Sequence, residues 1–154
     1  MTSTQKLVRT ENFRSEEFEC PCCGKNEIQL VLLSCLQDVR DDFGRSIKIT
    51  SGYRCYNHNK AVGGSPSSSH VKGIDADIRV YDSDQAFRIM KSIFATDKFH
   101  RVGYGKMNGV LTLHVDLDEA KIQHVLWGYY MRLLIGLIVL ATFFYLLLEN
   151  QLNP

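Results

Sequence analysis

The chain has no apolar stretch near its start. MTSTQKLVRTENFRSEEF offers no hydrophobic segment of the kind that directs secretion, so no leader is expected there. It also lacks an excess of charge of either sign. Lys and Arg number 18 and Asp and Glu 17, which argues against an electrostatic surface built for nucleic acid or another polyanion. No internal repeat is visible. Cysteine is present, but in an odd number: Cys20, Cys22, Cys23, Cys35 and Cys55. An odd count without a leader argues against a scaffold held by disulfides alone. What remains is 154 residues of ordinary hydrophobic content, enough for one domain and a short appendage.

The pattern of that domain is α+β. Residues 1–12 read as a lead-in, and CPCCGKN is punctuated by Pro21 and Gly24 as a turn. Asn26 can cap a helix over EIQLVLLSCLQDVRDDF, with Ile28, Val31, Leu32, Cys35, Leu36, Val39 and Phe43 at helical spacing and Gly44 as the stop. SIKIT predicts a short strand. Residues 51–73 read as a long loop rich in Gly, Ser and Asn, and long loops on compact domains are usually functional or disordered. IDADIRV alternates, with Ile74, Ala76, Ile78 and Val80 on one face and Asp75, Asp77 and Arg79 on the other. Ser83 can cap a second helix whose inner face is Phe87, Met90 and Ile93 or Phe94. RVGYG and VLTLHVDL predict a hairpin about Asn108-Gly109, with Leu111, Leu113, Val115 and Leu117 toward the core and Thr112, His114 and Asp116 away from it.

The last thirty residues differ. VLWGYYMRLLIGLIVLATFFYLLL, residues 125–148, holds a single charge, Arg132. As a helix it would extend roughly 36 Å, enough to cross a bilayer core. A transmembrane helix is therefore expected over 125–148, with Trp127, Tyr129 and Tyr130 as an aromatic belt, Arg132 at the interface and 149–154 as a short tail. The other reading is a buried core helix.

SSSHVKGIDAD, residues 67–77, concentrates the chemistry. His70 and Asp77 are seven residues apart. On a helix that is about 10.5 Å along the axis, and on one strand roughly 23 Å on opposite faces. The two meet only if the chain bends between them, and Gly73 can supply the bend. His114 lies on the polar face of another strand. Two histidines and a carboxylate meeting there could hold one zinc ion with a coordination position left open. Spacing alone leaves equal room for a surface pair.

The surrounding residues add to this. ITSGYRCYNHNKAVGGSPSSSHVKGIDADIRV, then RVGYG and LTLHVDLD, closely resembles the zinc peptidases of phages and bacteria that cut peptidoglycan stem peptides. These are the D-alanyl-D-alanine carboxypeptidase family, relatives of the lysostaphin-type enzymes and the hedgehog fold. ENFRSEEFECPCCGKN looks like that family's N-terminal approach. The resemblance implies a peptidase domain over 13–122, a small antiparallel sheet with flanking helices about a single Zn2+, and His70, Asp77 and His114 as its ligands. It implies that Arg54 faces the substrate's carboxylate or carbonyl oxygen and that Ser68 orients substrate. The implied partners are peptidoglycan and, through the apolar tail, a membrane, with no nucleic acid.

Three features depart from the family pattern. Many members place a Glu or Asp, as general base, three residues before the last ligand, where this chain has Leu111. Asp116, on the same face as His114, is the substitute expected to carry the proton, or else to orient a ligand. Asp75 stands where a small residue is usual and can hydrogen-bond a ligand or be solvated. The apolar tail is not a usual part of such domains. Cys20, Cys22 and Cys23 look too crowded for the two spaced pairs of a structural zinc site, and a bridge from Cys55 to that turn would need an oxidising compartment. The missing base keeps open a zinc-bearing wall-binding module without turnover. The tail keeps open a membrane-anchored lysis accessory protein.

Overall fold

The computed structural model describes residues 10–107 and 109–128. A 3-10 turn, Ser15–Phe18, leads into helix α1, Leu30–Phe43. Strand β1, Lys48–Ser51, is followed by two short helices, α2 (Tyr56–Ala61) and α3 (Ser69–Lys72). Strand β2, Asp75–Arg79, precedes helix α4, Ser83–Thr96. Strands β3, Arg101–Met107, and β4, Val110–Asp116, form a hairpin, and β5, Val125–Gly128, ends the described chain. The sheet order is β1-β2-β4-β3-β5. All neighbours are antiparallel except β3 and β5, which run parallel.

Helices α1 and α4 contribute to a core beneath one face of this sheet. Leu32, Leu33, Leu36 and Val39 of α1 and Ala86, Ile89 and Ile93 of α4 share that core with Ile78, Leu113, Val115 and Val102. The segment between the lead-in and α1 belongs to the same core, since Phe13 and Phe18 are buried in it. Phe18 lies so close to Gly52 that a Cβ there would come within 2.5 Å of its own Cβ. Alternation along β2 and β4 therefore turns Asp75, Asp77, His114 and Asp116 to the opposite face.

Several sequence expectations need correcting. Helix α1 begins at Leu30, after Asn26 has spent its side chain accepting from the Ile28 N–H at 2.9 Å, and Val31 is exposed rather than inward. Asp82, not Ser83, caps α4, accepting from the Gln85 N–H at 2.7 Å. The inner face of α4 is Ala86, Ile89 and Ile93, and Phe87 and Phe94 are exposed. Small and branched apolar residues fit close to the sheet where aromatic rings would not. The loop over 51–73 contains α2 and α3, each capped by a side chain of its own.

The largest correction concerns the tail. Residues 125–128 are not the start of a membrane helix but strand β5, in register with β3 from Arg101↔Val125 to Tyr104↔Gly128. The sheet thus continues past residue 122. Among the described residues no helix is long and apolar enough to cross a membrane. The rest of the expected span, the tail after it and Asn108 lie outside the described residues. The hairpin closes as expected, with Met107 opposite Val110 and Gly109 at φ +80°.

Candidate metal centre

Three elements deliver the three ligand candidates. Ser68 caps α3 by accepting from the His70 N–H at 3.3 Å, so His70 sits in the first turn of a four-residue helix. Gly73 ends that helix in the left-handed conformation, φ +68°, and its N–H bonds the His70 carbonyl. The chain turns there and enters β2. Asp77 lies directly across from His114 in the β2–β4 ladder. One atom from each of the three falls within 4.8 Å of the others, and all three residues are buried.

The inner hydrogen bonds define the chemistry. His70 Nδ1 faces the Gly52 carbonyl oxygen at 2.6 Å and Asp75 Oδ1 at 2.7 Å. A carbonyl only accepts, so Nδ1 carries the hydrogen. Asp75 Oδ1 is left buried with no hydrogen-bond partner. His70 Nε2 is turned to Asp77 Oδ2 at 3.3 Å, and His114 Nδ1 to Asp77 Oδ1 at 2.9 Å. Each contact needs a hydrogen or a cation between nitrogen and oxygen: a proton carried by the ring, or a metal ion held by both.

The titration behaviour expresses the same demand. Burial alone would lower the pKa of His70, but the carboxylates of Asp75 and Asp77 beside its ring outweigh that and raise it to about 9. Burial pushes Asp75 up. Asp77 is held well below the ordinary carboxylate range because His114 and His70 overcome its own burial. Two imidazoles and a carboxylate, with His70 held by a carbonyl and Asp75 beside both rings, form a donor set that fits a divalent cation such as zinc.

Arg54 closes one side. Its Nη2 reaches Asp77 Oδ2 at 2.5 Å and its Nε donates to Ser51 Oγ at 2.8 Å. It also lines a cleft of about 470 Å³ together with Glu17, Glu19, Ser51, His58 and Met107. Asp75 sits within 2.7 Å of His70 and 3.6 Å of His114.

Asp116 is on the same face, but its carboxylate is engaged elsewhere. Oδ2 takes Arg101 Nε at 3.1 Å and Lys121 Nζ at 3.5 Å, and Oδ1 accepts the Asp118 N–H at 2.7 Å. Burial raises its pKa, yet the Asp118 N–H and Arg101 lower it more. A carboxylate so held is a weak base. Leu111, at the position where the family pattern expects a base, packs against the core.

Trp127, expected in a membrane belt, lies beside the site instead. Its ring centroid is 5.6 Å from that of His114, and the Arg101 guanidinium sits 5.5 Å above it. Gly103, opposite Trp127 in the ladder, makes this possible, since a Cβ there would meet the indole at 2.7 Å. An aromatic residue facing a glycine in RVGYG was the available signal, but the apolar run that follows obscured it.

The family model described as Peptidase M15 matches residues 6–116, which contain all three ligand candidates. The chain belongs to the peptidase M15 family. It is therefore a peptidase of the metallo type, and M15 peptidases are typically zinc-dependent. No curated protein matches the chain. The M15 match ends at Asp116, so β5 and Trp127 lie beyond it.

Proposed function

We propose that this M15 peptidase is zinc-dependent and hydrolyses peptide bonds in peptidoglycan stem peptides, in cell-wall lysis or remodelling by a phage, prophage or bacterium. The observation that carries the reading is the convergence of His70, Asp77 and His114 beside a cleft that Arg54 lines. Zinc held by these three residues would supply Lewis-acid polarisation of the scissile carbonyl and make water more acidic.

The remaining work falls to the chain's own residues. Gly52 and Asp75 fix the His70 ring so that Nε2 points inward. Arg54 keeps its charge at every relevant pH, and the guanidinium N–H groups not used on Ser51 and Asp77 can grip a substrate carboxylate or the oxygen that gains charge. Ser68 accepts from His70, which leaves its own hydroxyl hydrogen for substrate. Arg54 with Glu17 and Glu19 gives the cleft charges of both signs, suited to a short peptide bearing both amine and carboxylate. The apolar run over 129–148 would keep such an enzyme at a membrane next to the wall.

The test is digestion of purified peptidoglycan by the zinc-loaded protein, with products read by mass spectrometry beside His114→Ala. New stem-peptide fragments from the intact site alone are expected, and their masses name the bond. Zinc-bearing, folded protein that releases nothing would sink the reading and favour a wall-binding module.

A further inference from the structure

Outside the histidine centre, four of the five cysteines meet. The turn at 20–24 is closed by Gly24 N–H to the Cys20 carbonyl at 2.9 Å and by Cys20 N–H to the Lys25 carbonyl at 2.9 Å, with Gly24 at φ +65°. This folds the CPCC stretch on itself. Cys55 arrives from 33 residues beyond Cys22, at the start of α2. The sulfurs of Cys20 and Cys22 lie 3.5 Å apart and those of Cys22 and Cys55 3.3 Å apart. Cys23 joins them, and all four sulfurs fall within 4.8 Å of one another.

We propose that Cys20, Cys22, Cys23 and Cys55 form a second metal site, a four-thiolate zinc centre that staples the N-terminal approach to the segment carrying Arg54. Four thiolates at about 2.3 Å from a zinc ion stand about 3.8 Å from each other at tetrahedral corners, the scale of the sulfur spacing here. Soft sulfur ligands select zinc over hard cations. The cluster has the outer hydrogen bonds that such ligands use: Cys55 N–H donates to Cys20 Sγ and His58 N–H to Cys55 Sγ, both at 3.4 Å. A disulfide would join one pair, and Cys22 with Cys55 is the nearest, but it would leave two further sulfurs gathered at the same point. All five cysteines are free. Cys35 stands apart, buried on α1, and takes no part.

The location gives the staple a purpose. Pro21 and Arg54 line the same cleft, and Arg54 is the residue before Cys55. Phe18 and Gly52 pack together just upstream of both arms. A cation between the arms ties the cleft wall to the segment that carries the arginine.

The full-length protein, purified under reducing conditions with zinc, would be assayed for zinc per chain and by zinc X-ray absorption. The same measurements would be made on His114→Ala and on Cys22→Ser/Cys23→Ser. Two zinc ions per chain are expected in the parent and one in each variant. The ion left in His114→Ala should have sulfur neighbours only, and the ion left in the cysteine variant none. Parent protein with no sulfur shell in its absorption spectrum overturns the proposal even if a variant fails to fold. So does an intact mass showing hydrogen lost to a Cys22–Cys55 disulfide in metal-loaded, active protein. Loss of peptidase activity in His114→Ala bears only on the histidine centre, so the two readings fail separately.

Discussion

Asp75 and Asp116 face each other across the β2–β4 ladder yet live in opposite environments. One oxygen of Asp75 is buried 2.7 Å from the His70 ring yet receives no hydrogen bond, because the ring's hydrogen goes to Gly52, while Asp116 is held by Arg101, Lys121 and a backbone N–H. Asp75→Asn should therefore weaken zinc binding by roughly 10–100-fold, the usual effect of removing a group that orients a ligand. Competition with a chromogenic chelator measures it, and unchanged affinity would show Asp75 to be a bystander. Asp116→Asn tests the missing base. Removing a true general base costs about 10²–10⁴-fold in rate. The held carboxylate predicts less than about tenfold, with the shape of the pH–rate profile unchanged, together with a lower melting temperature because Arg101 and Lys121 lose their partner. A hundredfold fall in kcat and a lost acidic limb would restore Asp116 as the base.

At the scale of elements, two glycines set the site's geometry. Gly73 ends α3 and turns the chain between His70 and Asp77 in a conformation that costs other residues about 1–2 kcal/mol, and a Cβ would also collide with the Glu27 carbonyl. Gly73→Ala should destabilise by more than the backbone term alone, in urea unfolding, and should lower zinc affinity by moving His70. Equal affinity would mean that the turn does not position the ligand. Gly103 lets β5 lay Trp127 beside His114. Gly103→Ala should cost about 1–3 kcal/mol, as overpacking does, and shift Trp127 emission to the red as the only tryptophan is displaced. Unshifted emission would place the indole elsewhere.

Across the whole molecule, β5 and the turn from Asp116 to Lys121 complete the domain. A chain ending at Gly128 should unfold cooperatively and keep its zinc. One ending at Ile122 should lose stability, because it leaves β3 as an open edge and removes Trp127. Equal denaturation midpoints would show β5 to be dispensable. Acid should loosen this end first. Asp118 binds Lys72 at 2.7 Å and lies 3.4 Å from Lys121. Burial raises its pKa, but those lysines bring it below the ordinary 3.8. A lowered folded pKa means that the unfolded state takes up the proton first. The contribution is complete above the unfolded value and drains away as pH falls below 3.8 through the folded one. Lys72→Met should flatten the acid limb of melting temperature against pH. An unchanged limb would assign acid sensitivity to other carboxylates.

Local pattern made much of this legible. The alternation of IDADIRV and LTLHVDL, the Asn-Gly turn and the Gly44 stop follow from period and backbone freedom, which neighbouring residues carry among themselves. The SxHxxGxxxD run placed His70, a turn and Asp77 in order for the same reason. What local pattern could not decide was pairing across the chain. Whether Val125–Gly128 is helix or strand depends on an open edge of β3 more than twenty residues earlier, because an apolar run satisfies either once its hydrogen bonds find partners. The inward face of α4, the engagement of Asp116 by Arg101 and Lys121, and the meeting of Cys55 with the CPCC turn depend likewise on groups distant in sequence. Period, capping and motif order lie in the sequence itself. Which distant charges, sulfurs and strand edges meet was decided only when the sheet closed over its helices, since burial and long-range pairing select among locally equivalent choices.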